Sequence, residues 1–406
     1  MKFNTSLILC TELIGLAFAQ VKLQNADVEA DLVIPNRYII KYKGDASATS
    51  KKKHEKVINE KAKSKGKEGI VNNIDLDGFE GYIAEIPSSE LKAVTESDLV
   101  ESVEKDTIVK VSAVAAPLEK RKFTTQSNAP WGLARISDTR KPVGTRYTYD
   151  TTAGAGITVY VLDSGIRLTH KEFNGRAIWG ANFIHGSANT DEYGHGTHVA
   201  GTIGGKTYGV AKGCKLVSVK VIDKDGGGTM SGILQGLQWA VNYAKKRGIT
   251  KTAVINASLG GPYTEIGNDA VKAATKLGIT CVAAAGNFGD DAAFYSPASA
   301  PSAITVGAVD SSGYRTIWSN YGAVVDISAP GSDILSAGHL SDTDSSYRSG
   351  TSMAAPHVAG LAAYFMAKEG LRGSTAITNR IISAADRGVL LGMGSPDRIA
   401  YNGGSK

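Results

Sequence analysis

Apolar residues in the later two-thirds of the chain fall into short β-branched runs separated by segments of helical period. Ile157-Thr158-Val159-Tyr160-Val161-Leu162 is an almost unbroken apolar run that ends in Asp163-Ser164-Gly165, which predicts a buried strand followed by a turn. Leu216-Val217-Ser218-Val219-Lys220-Val221 and Ala253-Val254-Ile255-Asn256-Ala257-Ser258 read the same way, as does Ile279-Thr280-Cys281-Val282-Ala283-Ala284. Between these runs Ile233, Leu237, Ala240, Val241 and Ala244 recur at helical spacing until Gly248, and Ile266, Ala270, Ala273 and Leu277 do so until Gly278. Alternation of this kind implies an α/β fold, a parallel sheet with helices on both faces, and makes the repeats core positions. A last apolar run begins at Gly350-Thr351-Ser352-Met353-Ala354-Ala355-Pro356-His357 and ends near Ala367.

Residues 20–123 have a different texture. Asn36–Tyr42 and Phe79–Ile86 read as strands, and Val100–Glu104 as another. The lysine-rich stretch from Lys51 to Lys67 is a solvated helix or a mobile loop, and Ser88–Val94 reads as a capped short helix. A polar linker, Ala115-Ala116-Pro117-Leu118-Glu119-Lys120-Arg121-Lys122-Phe123, separates this part from the rest and is where nicking would concentrate.

With 406 residues and 42% hydrophobic content the chain can bury a sizeable core and a smaller second unit. Residues 1–19 carry Lys2, an apolar stretch interrupted by Glu12, and Ala17-Phe18-Ala19 before Gln20, the pattern of a removable secretion signal. No later apolar run is long enough to span a membrane, so we expect a secreted protein without a membrane anchor. Lysine plus arginine balances aspartate plus glutamate before Thr124, nineteen of each, so the formal excess of six positive charges belongs to the later part. The excess is modest and lacks a clustered basic-aromatic face, which argues against nucleic-acid binding. Nothing in the sequence calls for an oligomer, and a monomer is expected.

Three segments carry candidate chemistry. Ser352 sits at the entrance of the last apolar run, where helix-terminal N–H groups assist an anion, and Gly350 and Ala354 leave its approach open. As an ordinary helix cap it would need no partner; as a nucleophile it needs a base. Gly194-His195-Gly196-Thr197-His198 offers two histidines, of which His198 lies a turn further in and reads as packed, like His357 inside the serine helix. No third ligand accompanies the pair, so a zinc site is disfavoured. Asp163 ends a buried strand, the place where open α/β sheets put their sites, and can orient an imidazole. Asp191 is a rival on a polar loop and is expected to be solvated. Asn256-Ala257-Ser258 is formally a glycosylation sequon, but it ends a predicted buried strand.

In these segments, taken in the order Asp163, His195, Ser352, the chain resembles the subtilase family of serine endopeptidases, most closely its secreted fungal proteinase K-like branch. The resemblance runs from about Thr124 to the C-terminus and includes Asn128-Ala129-Pro130-Trp131-Gly132-Leu133-Ala134-Arg135-Ile136-Ser137 as a mature amino end. It implies hydrolysis of protein and peptide substrates, with Asn287 and the Ser352 N–H as donors to the oxyanion. It also implies that Gly226, Gly227 and Gly228 pair with one side of a substrate strand and Ser258, Leu259, Gly260 and Gly261 with the other. Gly260, Ala284, Ala285 and Gly286 would wall an apolar pocket for aromatic or large aliphatic residues preceding the cut. By the same resemblance residues 20–123 are a propeptide, with a ferredoxin-like α+β domain at about 36–112 that aids folding and blocks the cleft, and residues 124–406 the peptidase domain. Phe123 suits the apolar pocket and suggests self-cleavage before Thr124, with Lys120-Arg121 as a rival site for another protease. The family's stronger calcium site maps onto Pro301, Ala303 and Asp326, oxygen donors that suit a hard cation; the weaker site meets Val389 where a carboxylate is needed. Cys10 would leave with the signal, and the resemblance puts the strands of Cys214 and Cys281 apart, so both are expected to be free thiols. The rivals are an esterase, which would need a Gly-x-Ser-x-Gly elbow that Ser352 lacks, and an inactive binding protein on the same fold.

Overall fold

The structure is a computed structural model that describes residues 21–76, 78–110, 114–115, 129–139, 144–388, 390 and 394–403. The signal with Ala17-Phe18-Ala19, the linker after Ala115 through Phe123 with Thr124, and Val389 lie outside the described residues.

The first unit is built from β1 (Val33–Tyr42), α1 (Ala48–Lys63), β2 (Gly69–Leu76), β3 (Phe79–Glu85), α2 (Lys92–Thr95) and β4 (Val100–Lys110). Its antiparallel strands lie in the order β2-β3-β1-β4, the ferredoxin-like arrangement the sequence suggested. The period of two leaves both faces of this sheet apolar. Tyr38, Ile40, Tyr42 and Tyr82 pack with Ile58 and Ala62 of α1, while Ile39, Ile83, Ile74, Leu76 and Phe79 join the core of the second unit. The lysine-rich stretch resolves into α1, capped by the Ser47 side chain, which accepts from Ser50 N–H. The short helix after Pro87 differs from expectation: it is a single turn at Ser88–Glu90 followed by α2, and neither has a side-chain cap. β4 runs six residues beyond the Val100–Glu104 expected, to Lys110, because its far end has a partner in the second unit.

After β5 (Val114–Ala115) and α3 (Trp131–Ser137) the second unit follows as β6 (Thr158–Asp163), β7 (Ala177–Asn182), α4 (His195–Gly204), β8 (Lys215–Lys220), β9 (Gly227–Thr229), α5 (Met230–Lys246) and β10 (Ala253–Ala257). Then come β11 (Gly261–Pro262), α6 (Glu265–Lys276), β12 (Thr280–Ala284), β13 (Tyr295–Ser296), β14 (Ile304–Val309), β15 (Ile327–Pro330), β16 (Ile334–Ala337), β17 (Ser345–Ser349), α7 (Thr351–Glu369) and α8 (Ser374–Ala384). A seven-stranded sheet, in the order β15-β14-β12-β10-β6-β8-β7, is parallel throughout. One face packs on α7 and α4 through residues such as Val159, Val161, Val358 and Leu361; the other packs on α5 and α6 through Tyr160, Leu162, Leu234 and Ile266. Every residue of β6 and β10 is buried, which is why those strands read as continuous apolar runs. Cys214 and Cys281 are free and buried, and burial pushes both thiols up to about 12, so neither has thiolate character at neutral pH.

Candidate active site

The carboxyl ends of β6, β10 and β12 and the starts of α4 and α7 converge on one cleft edge. β6 delivers Asp163 at its last position. Helix α4 starts at His195 and can approach that strand end because Gly196 has no side chain: a Cβ there would lie 2.1 Å from the Gly165 carbonyl and 3.1 Å from the Asp163 Cβ. The His195 Nδ1 therefore meets both carboxylate oxygens of Asp163, at 2.8 and 3.0 Å, and both side chains are wholly buried. The Ser164 N–H donates to the same carboxylate at 2.7 Å.

Ser352 occupies the first turn of α7, behind Gly350, whose φ of 153° marks the sharp entry into the helix. Its hydroxyl donates to the Ser258 carbonyl at 3.0 Å, and the Ser258 hydroxyl returns a bond to the Ser352 carbonyl at 2.9 Å. The His195 Nε2 is buried without a hydrogen-bond partner among the described residues. At the end of β12 Asn287 is fixed by Thr351, whose N–H and Oγ1 both donate to its Oδ1, at 2.7 and 2.8 Å. Anchoring the amide oxygen determines where the amide nitrogen points. Asn256, the sequon residue, is fully buried and donates to the Ser258 hydroxyl at 2.9 Å, which leaves it no room for a glycan.

Asp191 corrects the sequence reading. It is buried, not solvated, and gathers five donors: the N–H groups of Tyr193, Gly194 and Thr197 and the hydroxyls of Thr197 and Ser164, at 2.6 to 3.1 Å. It thereby ties the start of the His195 helix to the residue after Asp163. Lys220, missed by the sequence reading, sits opposite Asp163 in the ladder; its buried ammonium donates to the Ser164 carbonyl at 2.6 Å and pairs with Glu192 at 3.5 Å. The two other candidate histidines, His198 and His357, are held by backbone carbonyls. His198 Nε2 lies 2.9 Å from the Ile334 carbonyl and 3.1 Å from that of Ser346, and burial lowers its pKa to about 3. His357 Nδ1 meets the Met353 carbonyl at 2.8 Å, and burial lowers its pKa to about 4.

The glycines expected at the cleft edge have a partner in this chain. Ile108, Val109 and Lys110 of β4 pair antiparallel with Thr229, Gly228 and Gly227 of β9. On the opposite bank a Cβ at Gly261 would lie 3.3 Å from the Ile108 carbonyl. Val114 and Ala115 of β5 pair with Ser349 and Arg348 of β17, the strand that runs directly into Gly350-Thr351-Ser352. Leu259, Gly260, Ala284, Ala285 and Gly286 line a pocket beside Ser352, together with Phe288, Tyr295 and Ala298.

Two acidic residues of β4, on one face of the strand, reach the starts of α6 and α5. Glu104 Oε1 accepts from the Glu265 and Ile266 N–H groups at 3.0 and 3.2 Å, and its other oxygen accepts from the Thr264 hydroxyl. Asp106 accepts from the Ser231 N–H and hydroxyl at 3.0 and 2.6 Å and lies 3.3 Å from Arg37 Nε. Burial raises both carboxyls against the hydrogen bonds that pull them down. Charge-assisted bonds at a helix start contribute about 1.5–3 kcal/mol each. Glu104→Ala or Asp106→Ala in the separated first unit is expected to weaken its inhibition of the mature enzyme about 10- to 100-fold, read as the inhibition constant in trans. An unchanged constant would mean that these bonds do not hold the two units together.

This fold and this site define a serine hydrolase of the parallel-sheet type, carried behind an α+β domain that reaches into its cleft. A sequence model of the subtilase family (peptidase S8) matches residues 154–400, and one of the peptidase inhibitor I9 family matches residues 37–112. The chain is 45% identical to subtilisin-like protease 1 of Pseudogymnoascus destructans over 99% of both chains, and 45% identical to alkaline protease 1 of Aspergillus clavatus over 91% of this chain and 92% of that one. The crystal structure of a cold-adapted subtilisin-like serine proteinase superposes with a TM-score of 0.64 at 40% identity, covering 68% of this chain and 99% of that one. The chain belongs to the subtilase family and is a serine endopeptidase with an inhibitor-type propeptide domain.

Proposed function

We propose that this endopeptidase is secreted and cuts proteins through Ser352 as nucleophile, His195 as base and then acid, Asp163 as the group that orients the imidazole, and Asn287 with the Ser352 N–H as oxyanion donors. The observation that carries this reading is the buried Asp163–His195 pair, its Nε2 left without a partner among the described residues, on a helix that shares its core with α7, whose first turn holds Ser352, with Asn287 anchored by the neighbouring Thr351. The Asp163 carboxylate accepts from Nδ1–H and so keeps Nε2 unprotonated, ready to take the serine proton. A substrate N–H that pairs with the Ser258 carbonyl displaces the Ser352 hydroxyl from it and frees the hydroxyl for Nε2. Attack on the scissile carbonyl forms the C–O bond and moves the proton to His195; collapse gives that proton to the leaving amine and leaves the acyl-enzyme. Water, deprotonated by the same imidazole, then releases the acid and regenerates Ser352. Asn287→Ala removes one oxyanion donor and is expected to lower kcat about 100- to 1,000-fold with little change in KM, the loss that subtilisin shows when its own amide donor is removed. An unchanged kcat would remove Asn287 from this role.

The pocket beside Ser352 is lined by apolar and small residues, without a charged side chain among them, which supports preference for aromatic or large aliphatic residues before the cut. The signal-like residues 1–19 support secretion, and no helix among the described residues is long and apolar enough to cross a membrane. The propeptide domain acts on its own enzyme: β4 takes the strand edge that a substrate would use, and β5 pairs with the strand leading to Ser352. The linker that follows β5 carries the maturation cut, at the Phe123–Thr124 bond, whose Phe123 suits the apolar pocket beside Ser352.

Calcium fits the Asp326 region. The Asp326 carboxyl is raised by burial, its Oδ2 accepts from the Thr305 N–H at 2.8 Å, and the neighbouring Ser302 hydroxyl is buried without a partner among the described residues. Among the described residues no three acidic, histidine or cysteine side chains converge, so the ion would rest on Asp326 and the carbonyls of Pro301 and Ala303. There it would neutralise a desolvated carboxylate and brace the loop before β14. Chelation, or Asp326→Ala, is expected to lower the melting temperature of the matured enzyme by several degrees, about 1–3 kcal/mol at the usual slope. Equal melting curves with and without chelator would exclude this site.

A further inference from the structure

Lys220 is the only lysine among the described residues that is wholly buried. It closes β8 after Leu216, Val217 and Val219, all of them core positions. An apolar side chain would fill this place without cost, whereas a buried ammonium gives up its hydration and must be held by fixed partners. Two partners are present. The Ser164 carbonyl accepts from Nζ at 2.6 Å, while the Glu192 carboxylate lies at 3.5 Å on a side chain that is 30% exposed. The closer and drier contact is the one to Ser164.

Ser164 is the residue on which the chain leaves the sheet. The ladder ends at Asp163, opposite Lys220, where the Asp163 carbonyl still accepts from the Val221 and Ile222 N–H groups at 2.8 and 3.2 Å. One residue further the Ser164 carbonyl receives no backbone N–H among the described residues, and Lys220 supplies the donor. The remaining polar groups of Ser164 reach the Asp163–His195 pair and its surroundings. Its N–H donates to the Asp163 carboxylate at 2.7 Å; its hydroxyl accepts from the Gly196 N–H, next to His195, at 3.0 Å and donates to Asp191 at 2.8 Å. Lys220 also shares a sheet face with Asp163. Val159, Val161 and Leu216 pack into the core that holds α4, and the period of two puts Asp163 and Lys220 on that same side.

We propose that Lys220 is a positioning residue for catalysis: by holding the Ser164 carbonyl it fixes the Asp163-Ser164-Gly165 turn, and through that turn the Asp163 carboxylate against His195 Nδ1. The inference rests on the proposed roles of Asp163 and His195. Because Lys220 acts through Ser164, its loss misaligns proton transfer and leaves peptide binding along the cleft edges in place, so kcat falls and KM does not rise.

The test compares matured wild type, Lys220→Met and Lys220→Arg in hydrolysis of a peptide anilide with Phe before the cut, with the melting temperature of each. Lys220→Met keeps an unbranched chain but no donor and no charge. We expect it to lower kcat about 10- to 100-fold with KM within about threefold, the scale on which a small misplacement of a reacting group is felt. Inactivation by phenylmethylsulfonyl fluoride, which needs the same proton transfer but no bound peptide, should slow by a similar factor. Lys220→Arg keeps both charge and donors and should hold kcat within about fivefold of wild type. If Lys220→Met does not mature, Lys220→Gln, neutral and one atom shorter than lysine, takes its place with the same expectation. A neutral variant with kcat within twofold of wild type, or with its loss confined to KM, overturns the proposal. So does Lys220→Arg as slow as the neutral variant at an equal melting temperature, which would make the effect one of packing and not of the ammonium. Failure of wild type to hydrolyse the anilide would instead sink the roles of Asp163 and His195, and is distinct from each of these results.

Discussion

Ser352→Ala is expected to abolish peptide hydrolysis and self-processing together. The hydroxyl is the atom that becomes the acyl ester, so its removal leaves only binding and the oxyanion donors. In subtilisin, a member of this family, that loss is about a million-fold in kcat, and about 1,000- to 10,000-fold acceleration over water remains. The alanine should cost little stability: among the described residues Ser352 Oγ makes one hydrogen bond, to the Ser258 carbonyl, and the Ser258 hydroxyl bond to the Ser352 backbone stays. The variant should therefore fold and persist with its propeptide attached. Turnover equal to wild type, measured on the same anilide, would reject Ser352 as nucleophile.

Asp163→Asn should lower kcat about 10,000-fold while the fold survives. The shape of the side chain is kept, and so is an oxygen to accept from the Ser164 N–H, now 2.7 Å away. What changes is the group that faces His195. The carboxylate receives the Nδ1–H at 2.8 Å, whereas an amide can turn its NH2 toward Nδ1 and stabilise the tautomer with the proton on Nε2. That tautomer cannot accept the serine proton. The imidazolium that forms during attack would also lose its buried counter-charge, in a site where neither side chain is exposed. A fall of tenfold or less, with an unchanged melting temperature, would make Asp163 a structural residue.

Much of this site was legible because its chemistry is encoded locally. Asp163 closes an apolar run, His195 lies between glycines, and Ser352 opens a helix, so each could be placed on an element before their contacts were known. The pocket glycines and alanines were legible only through the family resemblance, since small residues carry no signal of their own. Asp191 was misread for a physical reason: a polar loop usually faces water, and nothing local reveals that five donors fold back onto one carboxylate. Its position four residues before His195 was the available signal, because an acidic residue just ahead of a helix start often caps it. Glu104 and Asp106 were invisible for a related reason. Their partners, the starts of α6 and α5, lie more than a hundred residues away.

The most direct test of the account is to identify the atom that carries catalysis. Matured wild type would be inactivated with phenylmethylsulfonyl fluoride, and its peptides mapped by mass spectrometry together with the amino terminus of the mature chain. The account predicts one sulfonyl group per inactivated molecule, on Ser352, and an amino terminus at Thr124. Complete inactivation with Ser352 unmodified, or full activity with Ser352 modified, would contradict it.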